Sequence, residues 1–340
     1  MNKKMIALAV AAASLSSLAN AAEVYSDETS SLAVGGRFEA RGVLADDNES
    51  SSKVTDATRV RINVAGKTDI SEGLYGVGFF EKEFQSADSG DDETRYAYAG
   101  LGGTYGQVVY GKADGSLGML TDFTDIMAYN GNEAGNKIAA GDRTSNNLSY
   151  VGSFDLSGNN LTVKANYVFD DGENTDGYSA AAMYAMDMGL AFGAGYGEQE
   201  GQTGVVGATT ETAKGKQAFG AVSYTFGDFY VAGLYQDAEN TVVNVTGSQD
   251  RLIKDSRGYE LAAAYSWNQT VFTSTWNYLE DTNASGNAKD LKDAIAVDAT
   301  HYFNKNFRTY ASYKFNLLDS DKVGKAAASD QFVLGARYDF

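Results

Sequence analysis

The chain ends in Gln331-Phe332-Val333-Leu334-Gly335-Ala336-Arg337-Tyr338-Asp339-Phe340. The even-numbered residues of this run from Phe332 to Phe340 are apolar or aromatic, whereas the odd-numbered set includes Arg337 and Asp339. Because successive side chains of a β-strand point to opposite faces, the pattern predicts a strand with one apolar face and one face that can hold charge. Such a strand suits a boundary between lipid and water.

The same alternation returns along the chain. In residues 161–169 and 309–317, the charged side chains Lys164 and Lys314 both fall on the polar face. Near the start, charged residues again occupy one parity of two segments: Arg37, Glu39, Arg41, Arg59 and Arg61. A soluble β-sandwich alternates in a similar way, so parity alone does not establish a membrane protein. Aromatic residues near strand ends favour the membrane, and we expect them in the interfacial girdles: Tyr96, Tyr98, Tyr105, Phe303, Tyr338 and Phe340.

Residues 1–21 have the pattern of a cleaved signal peptide. Lys3 and Lys4 form a basic start, an apolar stretch follows, and Ala19-Asn20-Ala21 is a small-residue cleavage site. We expect export and a mature chain that starts at Ala22. Removal of the two lysines takes the formal charge from -18 to -20. No linker divides residues 22–340, which are predicted to form a single domain.

The composition points to strands rather than helices in the membrane. No stretch after the leader has the 18 or more apolar residues of a transmembrane helix. The chain has 38 Gly, 22 Tyr and 17 Phe, with no Cys to form a disulfide. A backbone that crosses lipid without helices must close on itself to satisfy its polar groups. At about 10 residues per strand plus connections, the sequence predicts an all-β, transmembrane antiparallel β-barrel of about 16 strands.

One segment departs from this pattern. From Lys112 to Arg143 no alternation is sustained. A connection of that length without structure of its own is uncommon in a compact domain and usually has a function.

Several stretches resemble the general diffusion porins of Gram-negative outer membranes, a family of trimeric 16-stranded barrels. They are the segment 302–306 (Tyr-Phe-Asn-Lys-Asn) with Thr309-Tyr310, the start Ala22-Glu23-Val24-Tyr25, residues 94–101 and the terminal Phe340. The resemblance implies a homotrimer and a third loop, residues 112–143, that folds into the pore. It also implies contact with outer-membrane lipid and lipopolysaccharide, and recognition of Phe340 by the barrel-assembly machinery. No nucleic acid is expected as a partner.

The resemblance also implies which residues form the constriction. Leu120-Thr121-Asp122-Phe123-Thr124-Asp125 is similar to the family's loop-tip motif, with Thr121 in place of Pro, Thr124 in place of Gly and a spacing one residue shorter. Asp122 and Asp125 would be the acidic side. The basic side would be Arg37, Arg61, Arg95 and Lys137, with Arg59 as a further candidate, whereas Arg143 would anchor the end of the loop. Alternatively, these arginines pair with acidic residues at neighbouring positions: Glu39, Glu81 and Glu83.

Opposed acidic and basic rows across a water-filled throat set up a transverse field, which disfavours apolar solutes. We therefore expect passive passage of ions and small hydrophilic solutes, filtered by size and charge and mildly cation-selective, with no catalysis, cofactor or metal. Three alternatives remain open: a pore selective for sugar or phosphate, an outer-membrane barrel enzyme, and an adhesin. The enzyme would depend on His301, the chain's single histidine.

Overall fold

The computed structural model describes residues 21–45, 54–86, 91–172, 175–244, 250–284 and 290–340. The predicted signal peptide lies outside these ranges except for Ala21. No helix in the described part of the chain is long and apolar enough to cross a membrane. The helices there are short: α1 (Gly118–Thr121), α2 (Ser320–Val323) and a 3-10 turn (Ala139–Gly141).

Strands make up most of the described chain. In order they are β1 (Ala22–Ser26), β2 (Ser30–Ala45), β3 (Val54–Asp56), β4 (Arg59–Ser71), β5 (Leu74–Gln85), β6 (Glu93–Gly103), β7 (Gly106–Asp114), β8 (Arg143–Leu156), β9 (Asn159–Val168), β10 (Gly177–Ala185), β11 (Leu190–Val206), β12 (Thr209–Phe226), β13 (Phe229–Asn244), β14 (Asp250–Trp267), β15 (Thr270–Asp281), β16 (Asp290–Tyr302), β17 (Phe307–Asn316) and β18 (Gln331–Asp339).

Sixteen long strands of the described chain, β2 and β4 to β18, form one closed antiparallel sheet. Each pairs with the next, and β18 returns to β2 with Leu334 opposite Gly42. Phe340 and Gly36 exchange backbone hydrogen bonds of 3.1 Å beyond the end of β18. The short strands β1 and β3 pair along β2. The closed barrel of about 16 strands is therefore confirmed, and closure leaves no unpaired edge in lipid.

The two faces of the strands differ as the alternation predicted. Phe38 and Leu334 are about half exposed on the outer surface, at 52% and 51%, whereas Glu39 and Val333 point inward and are buried. The outer surface is therefore apolar and the inner surface carries the charges, as a barrel in lipid requires.

Of the six aromatic residues predicted for the girdles, four lie on the outer surface, and the prediction is wrong for the other two. Tyr105, Phe303 and Tyr338 are exposed, and Phe340 stacks on Phe38 with ring centroids 5.4 Å apart. Tyr96 and Tyr98 instead point into the barrel, as does their neighbour Arg95. The strand register shifts here, since Glu81 pairs with Tyr96 while Lys82 pairs with Thr94. This bulge leaves Arg95 without an opposite residue and lets adjacent side chains share the inner face.

The segment without alternation is the third long connection at its end of the barrel. It was predicted to cover residues 112–143, and it runs from 115 to 142 because β7 continues to Asp114 and β8 begins at Arg143. Leu117, Leu120 and Phe123 of this connection are fully buried. They pack in one cluster with inward side chains of five consecutive strands, β10 to β14, among them Ala181, Met183, Phe219, Leu234 and Ala262. The connection therefore lies inside the barrel, and we call it the inner loop.

Candidate functional site

The inner loop runs along the barrel wall in an outgoing arm and a return arm. The outgoing arm starts where the Ser116 amide donates to Asn166 and Ser179, at 3.0 Å each. It ends where the Asn130 side chain donates to Ser312 of β17, at 3.3 Å. Between these points, the Tyr230 hydroxyl donates to the Phe123 carbonyl at 2.7 Å. The arm thus follows the wall from β9 to β17.

The return arm is held by wall side chains that accept hydrogen bonds from its backbone. The Glu133 amide donates to Asn277 (3.2 Å) and the Ile138 amide to Gln217 (2.7 Å). The Ala140 amide donates to Gln199, also at 2.7 Å. A buried segment without regular structure needs such partners for its N–H groups. Polar side chains of the wall therefore fix the path of the loop.

Glu260 of β14 lies between the two arms and binds both. Its carboxylate accepts from the Thr124 hydroxyl of the outgoing arm and from the Ala134 and Gly135 amides of the return arm, at 2.9 Å each. The residue is 1% exposed. The sequence analysis missed Glu260, because inward parity was its only signal and many wall residues share it.

The wall that faces the loop carries arginines in ion pairs. Arg59 lies 2.9 Å from Glu39 and Arg95 lies 2.8 Å from Glu81. Arg37 is 3.4 Å from Glu39, and Arg61 pairs with Glu83. The alternative prediction, that these arginines pair with Glu39, Glu81 and Glu83, is therefore confirmed, since each of the four pairs with one of these carboxylates. The pairing does not remove them from the lumen, because all four also line its central cavity.

A cavity of about 770 Å³ separates the inner loop from this wall. All six predicted constriction residues line it: Asp122, Asp125, Arg37, Arg61, Arg95 and Lys137. Among the described residues, ten Arg or Lys and five Asp or Glu contribute to the lining. Arg143, expected only to anchor the loop, also lines the cavity, and the basic residues that the sequence analysis did not assign to the site are Arg41, Lys164, Arg308 and Arg337. Inward parity on their strands was the signal that could have identified them.

The predicted residues do not all lie where the motif implied. Lys137 belongs to the return arm of the loop and is not on the opposite wall; its ammonium donates to the Thr121 hydroxyl at 3.3 Å and lies 3.7 Å from Asp142. The Asp125 carboxylate accepts from the side-chain Nδ2 of Asn132 at 3.1 Å. Burial, followed by the nearby Asp125 carboxylate, raises the pKa of Asp122 to about 7, although Lys164 and Lys137 act in the opposite direction. The charge of Asp122 therefore depends on pH near neutrality.

His301, the candidate base of the enzyme alternative, lies on the lipid-facing parity of β16 with Val297, which is exposed on the outside. Its Nδ1 is 2.9 Å from the Thr270 hydroxyl, and its ring packs against Phe303 with centroids 4.7 Å apart. The imidazole is therefore outside the lumen and apart from the charged cavity.

Comparison with known proteins agrees with this architecture. The family model of the Gram-negative porins matches residues 7–321. The chain is 72% identical to porin-like protein L of Photobacterium profundum and 43% identical to outer membrane protein U of Vibrio parahaemolyticus, in each case over all of both chains. The structure of Salmonella typhi OmpF in complex with daunomycin superposes with a TM-score of 0.78 at 23% identity, covering 94% of this chain and 100% of that one. The chain thus belongs to the Gram-negative porins and is a β-barrel protein of the outer membrane.

Proposed function

We propose that this protein is a general diffusion porin whose pore is narrowest between the inner loop and the arginine wall. The observation that carries the proposal is the charged cavity of about 770 Å³ left between these two surfaces inside a closed barrel. Acidic groups on the loop and basic groups on the wall orient water across the throat. A small hydrated ion or polar solute tolerates this field, whereas an apolar solute has to displace the oriented water.

Permeation then depends on size and charge and needs no conformational cycle. The arginines are held in place by their ion pairs with Glu39, Glu81 and Glu83. The loop is held by the wall acceptors, with Glu260 between its arms. Because both surfaces are fixed, the throat acts as a passive filter.

Mild cation selectivity is the second part of the proposal. The formal charge of -18 draws cations towards the protein, but charge on outer loops is screened over about 8 Å at physiological ionic strength. Within the throat, basic groups outnumber acidic ones in the lining. This basic excess opposes cation entry, so the proposed cation preference is small and depends on the loop carboxylates Asp122 and Asp125.

A solved structure supports a proposal about the assembly. A structure of OmpT from Vibrio cholerae, which has a TM-score of 0.67 at 20% identity, is described as a trimer. We propose a homotrimer with one pore in each subunit and a lipid-facing surface that meets lipopolysaccharide. Phe340, packed on Phe38 at the barrel seam, is the proposed signal for the assembly machinery.

A planar bilayer experiment tests the proposal. Purified, unheated protein should insert with conductance steps in groups of three, and a KCl gradient should give a reversal potential of the sign for potassium preference. A reversal potential that favours chloride would refute the selectivity. Absence of any conductance would refute the porin function.

A further inference from the structure

Two methionines of the inner loop, Met119 and Met127, line the charged cavity. Met119 is 8% exposed and packs in the apolar cluster that holds the loop against the wall. Met127 lies further along the outgoing arm and is partly exposed. Methionine sulfur is a common target of oxidants, and the chain has no Cys that would compete for them. The proposed diffusion of solutes makes no use of either sulfur.

The sulfur of Met127 is held by the barrel wall. The Thr275 hydroxyl of β15 donates to Sδ of Met127 at 3.2 Å. The same Thr275 oxygen accepts from Nδ2 of Asn277 at 3.3 Å, and Oδ1 of Asn277 accepts from the Glu133 amide of the return arm at 3.2 Å. A chain of hydrogen bonds therefore joins the two arms of the loop through β15 and ends on this sulfur.

One side of the sulfur is closed. A Cβ atom at Gly131 would lie only 2.8 Å from Sδ of Met127 and 2.7 Å from the Thr275 hydroxyl oxygen, so no space remains between these three residues. A thioether sulfur has two lone pairs, and the Thr275 hydroxyl takes one of them. The other lone pair is left for an oxidant. The cavity that Met127 lines is the space from which a small solute can reach it.

From this geometry we propose that Met127 is an oxidation site of the pore, at which hydrogen peroxide forms one predominant epimer of methionine sulfoxide. The remaining lone pair attacks one peroxide oxygen and the O–O bond breaks. The proton of the transferred oxygen passes to the departing hydroxide, which leaves as water; sulfur loses two electrons and the peroxide gains them. Hydrogen peroxide is a small polar solute, so the route of the oxidant rests on the proposed diffusion function.

Oxidation changes what Met127 presents to the throat. A thioether sulfur is a weak hydrogen-bond acceptor, whereas a sulfoxide is polar and chiral. Because Gly131 and Thr275 close one side of the sulfur, the added oxygen projects towards the cavity. The arginines of the wall line the same cavity, and their guanidinium groups are donors for that oxygen. The oxidised pore should therefore conduct less than the reduced one.

Peptide mass mapping after peroxide treatment of the folded protein tests the site. Met127 should gain one oxygen atom more slowly than Met188, which is 62% exposed. It should gain it at least about tenfold faster than Met183, which is 3% exposed and needs local opening first.

The epimer is tested on the digested peptides with the two sulfoxide reductases, each of which reduces one epimer. One enzyme should reduce most of the Met127 sulfoxide and the other little of it, whereas each should reduce about half of the Met188 sulfoxide. Thr275→Val removes the hydroxyl and keeps the shape of the side chain, so it should give both epimers at Met127.

Single-channel recording connects the modification to the pore. Peroxide should lower the wild-type conductance, and Met188→Leu should respond in the same way. Met127→Leu keeps apolar volume but has no sulfur, so its conductance should be the same before and after peroxide. Met127 that stays reduced in a conducting pore, equal amounts of both epimers at Met127 in the wild type, or a peroxide response that persists in Met127→Leu would each overturn the inference alone. A protein that forms no pore would overturn the proposed function as well.

Discussion

Replacing Glu260 with alanine should loosen the inner loop around Ala134 and Gly135. The wild-type carboxylate accepts the Ala134 and Gly135 amides at 2.9 Å and also binds Thr124 of the other arm. A hydrogen bond to a charged group contributes about 1.5–3 kcal/mol, so the two amides alone represent about 3 kcal/mol or more. An opening free energy lowered by about 3 kcal/mol makes amide exchange about 100-fold faster. Because this part of the loop would then move in the throat, the noise of the open-channel current should rise.

The assay combines hydrogen exchange of the segment around Ala134 with single-channel recording. Glu239→Gln is the matched control, because Glu239 lies on the adjacent strand, is half exposed and pairs with Lys216 at 3.1 Å without contact to the loop. It removes the same charge and should alter neither readout. If Glu260→Ala exchanged as slowly as wild type and its current were equally quiet, the clamp assigned to Glu260 would be wrong.

Two further outcomes follow from the placement of charge. Asp122 is neutral below its raised pKa of about 7 and negative above it, so cation preference should decline as the pH is lowered from 8 to 5. The reversal potential of Asp122→Asn should change little over this pH range. If the reversal potential of the variant changed with pH as much as that of the wild type, Asp122 would be excluded as the source. On β9, Val163 has the outward parity of Tyr167, whereas Thr162 has the inward parity of Asn166. Val163→Lys should lower the free energy of unfolding by about 2–4 kcal/mol near the bilayer centre, and Thr162→Lys by much less. Urea unfolding of the barrel in lipid vesicles measures this free energy. Equal losses in the two variants would contradict the assigned faces.

Much of the fold was readable because one rule governs every strand. Alternation along a strand is the same in lipid as in any two-faced sheet, and Phe38, Glu39 and Leu334 lie on their predicted faces. The rule fails where the ladder has a bulge. At Arg95 the register shift turns the following residues, so Tyr96 and Tyr98 were assigned to lipid although they face the lumen. A bulge places one extra residue in a strand but requires no particular residue type there, so the local sequence does not reveal it.

The composition of the charged cavity was predictable, whereas the path of the inner loop was not. Asp122 and Asp125 were located by a motif within the loop, and the cavity includes both. The path depends on residues far away in sequence, since Glu260 is 125 positions from Gly135. Lys137 is an example: the sequence analysis recognised its charge, but the path of the return arm places it on the loop, on the same side of the cavity as Asp122 and Asp125.

The sequence did hold one signal for where the loop docks. Strand β10 contains Ala180-Ala181-Ala182-Met183, in which polar residues do not alternate with apolar ones. A strand that is apolar on both faces is buried on both, and here the lipid covers one face while the loop covers the other. Complete burial of Leu117, Leu120 and Phe123 contributes about 1.5–3 kcal/mol for each side chain. Their sum, about 4.5–9 kcal/mol, is comparable with or larger than the about 3–6 kcal/mol of the two amide bonds to Glu260. Hence the apolar contacts hold the loop against the wall of β10 to β14, and Glu260 joins its two arms.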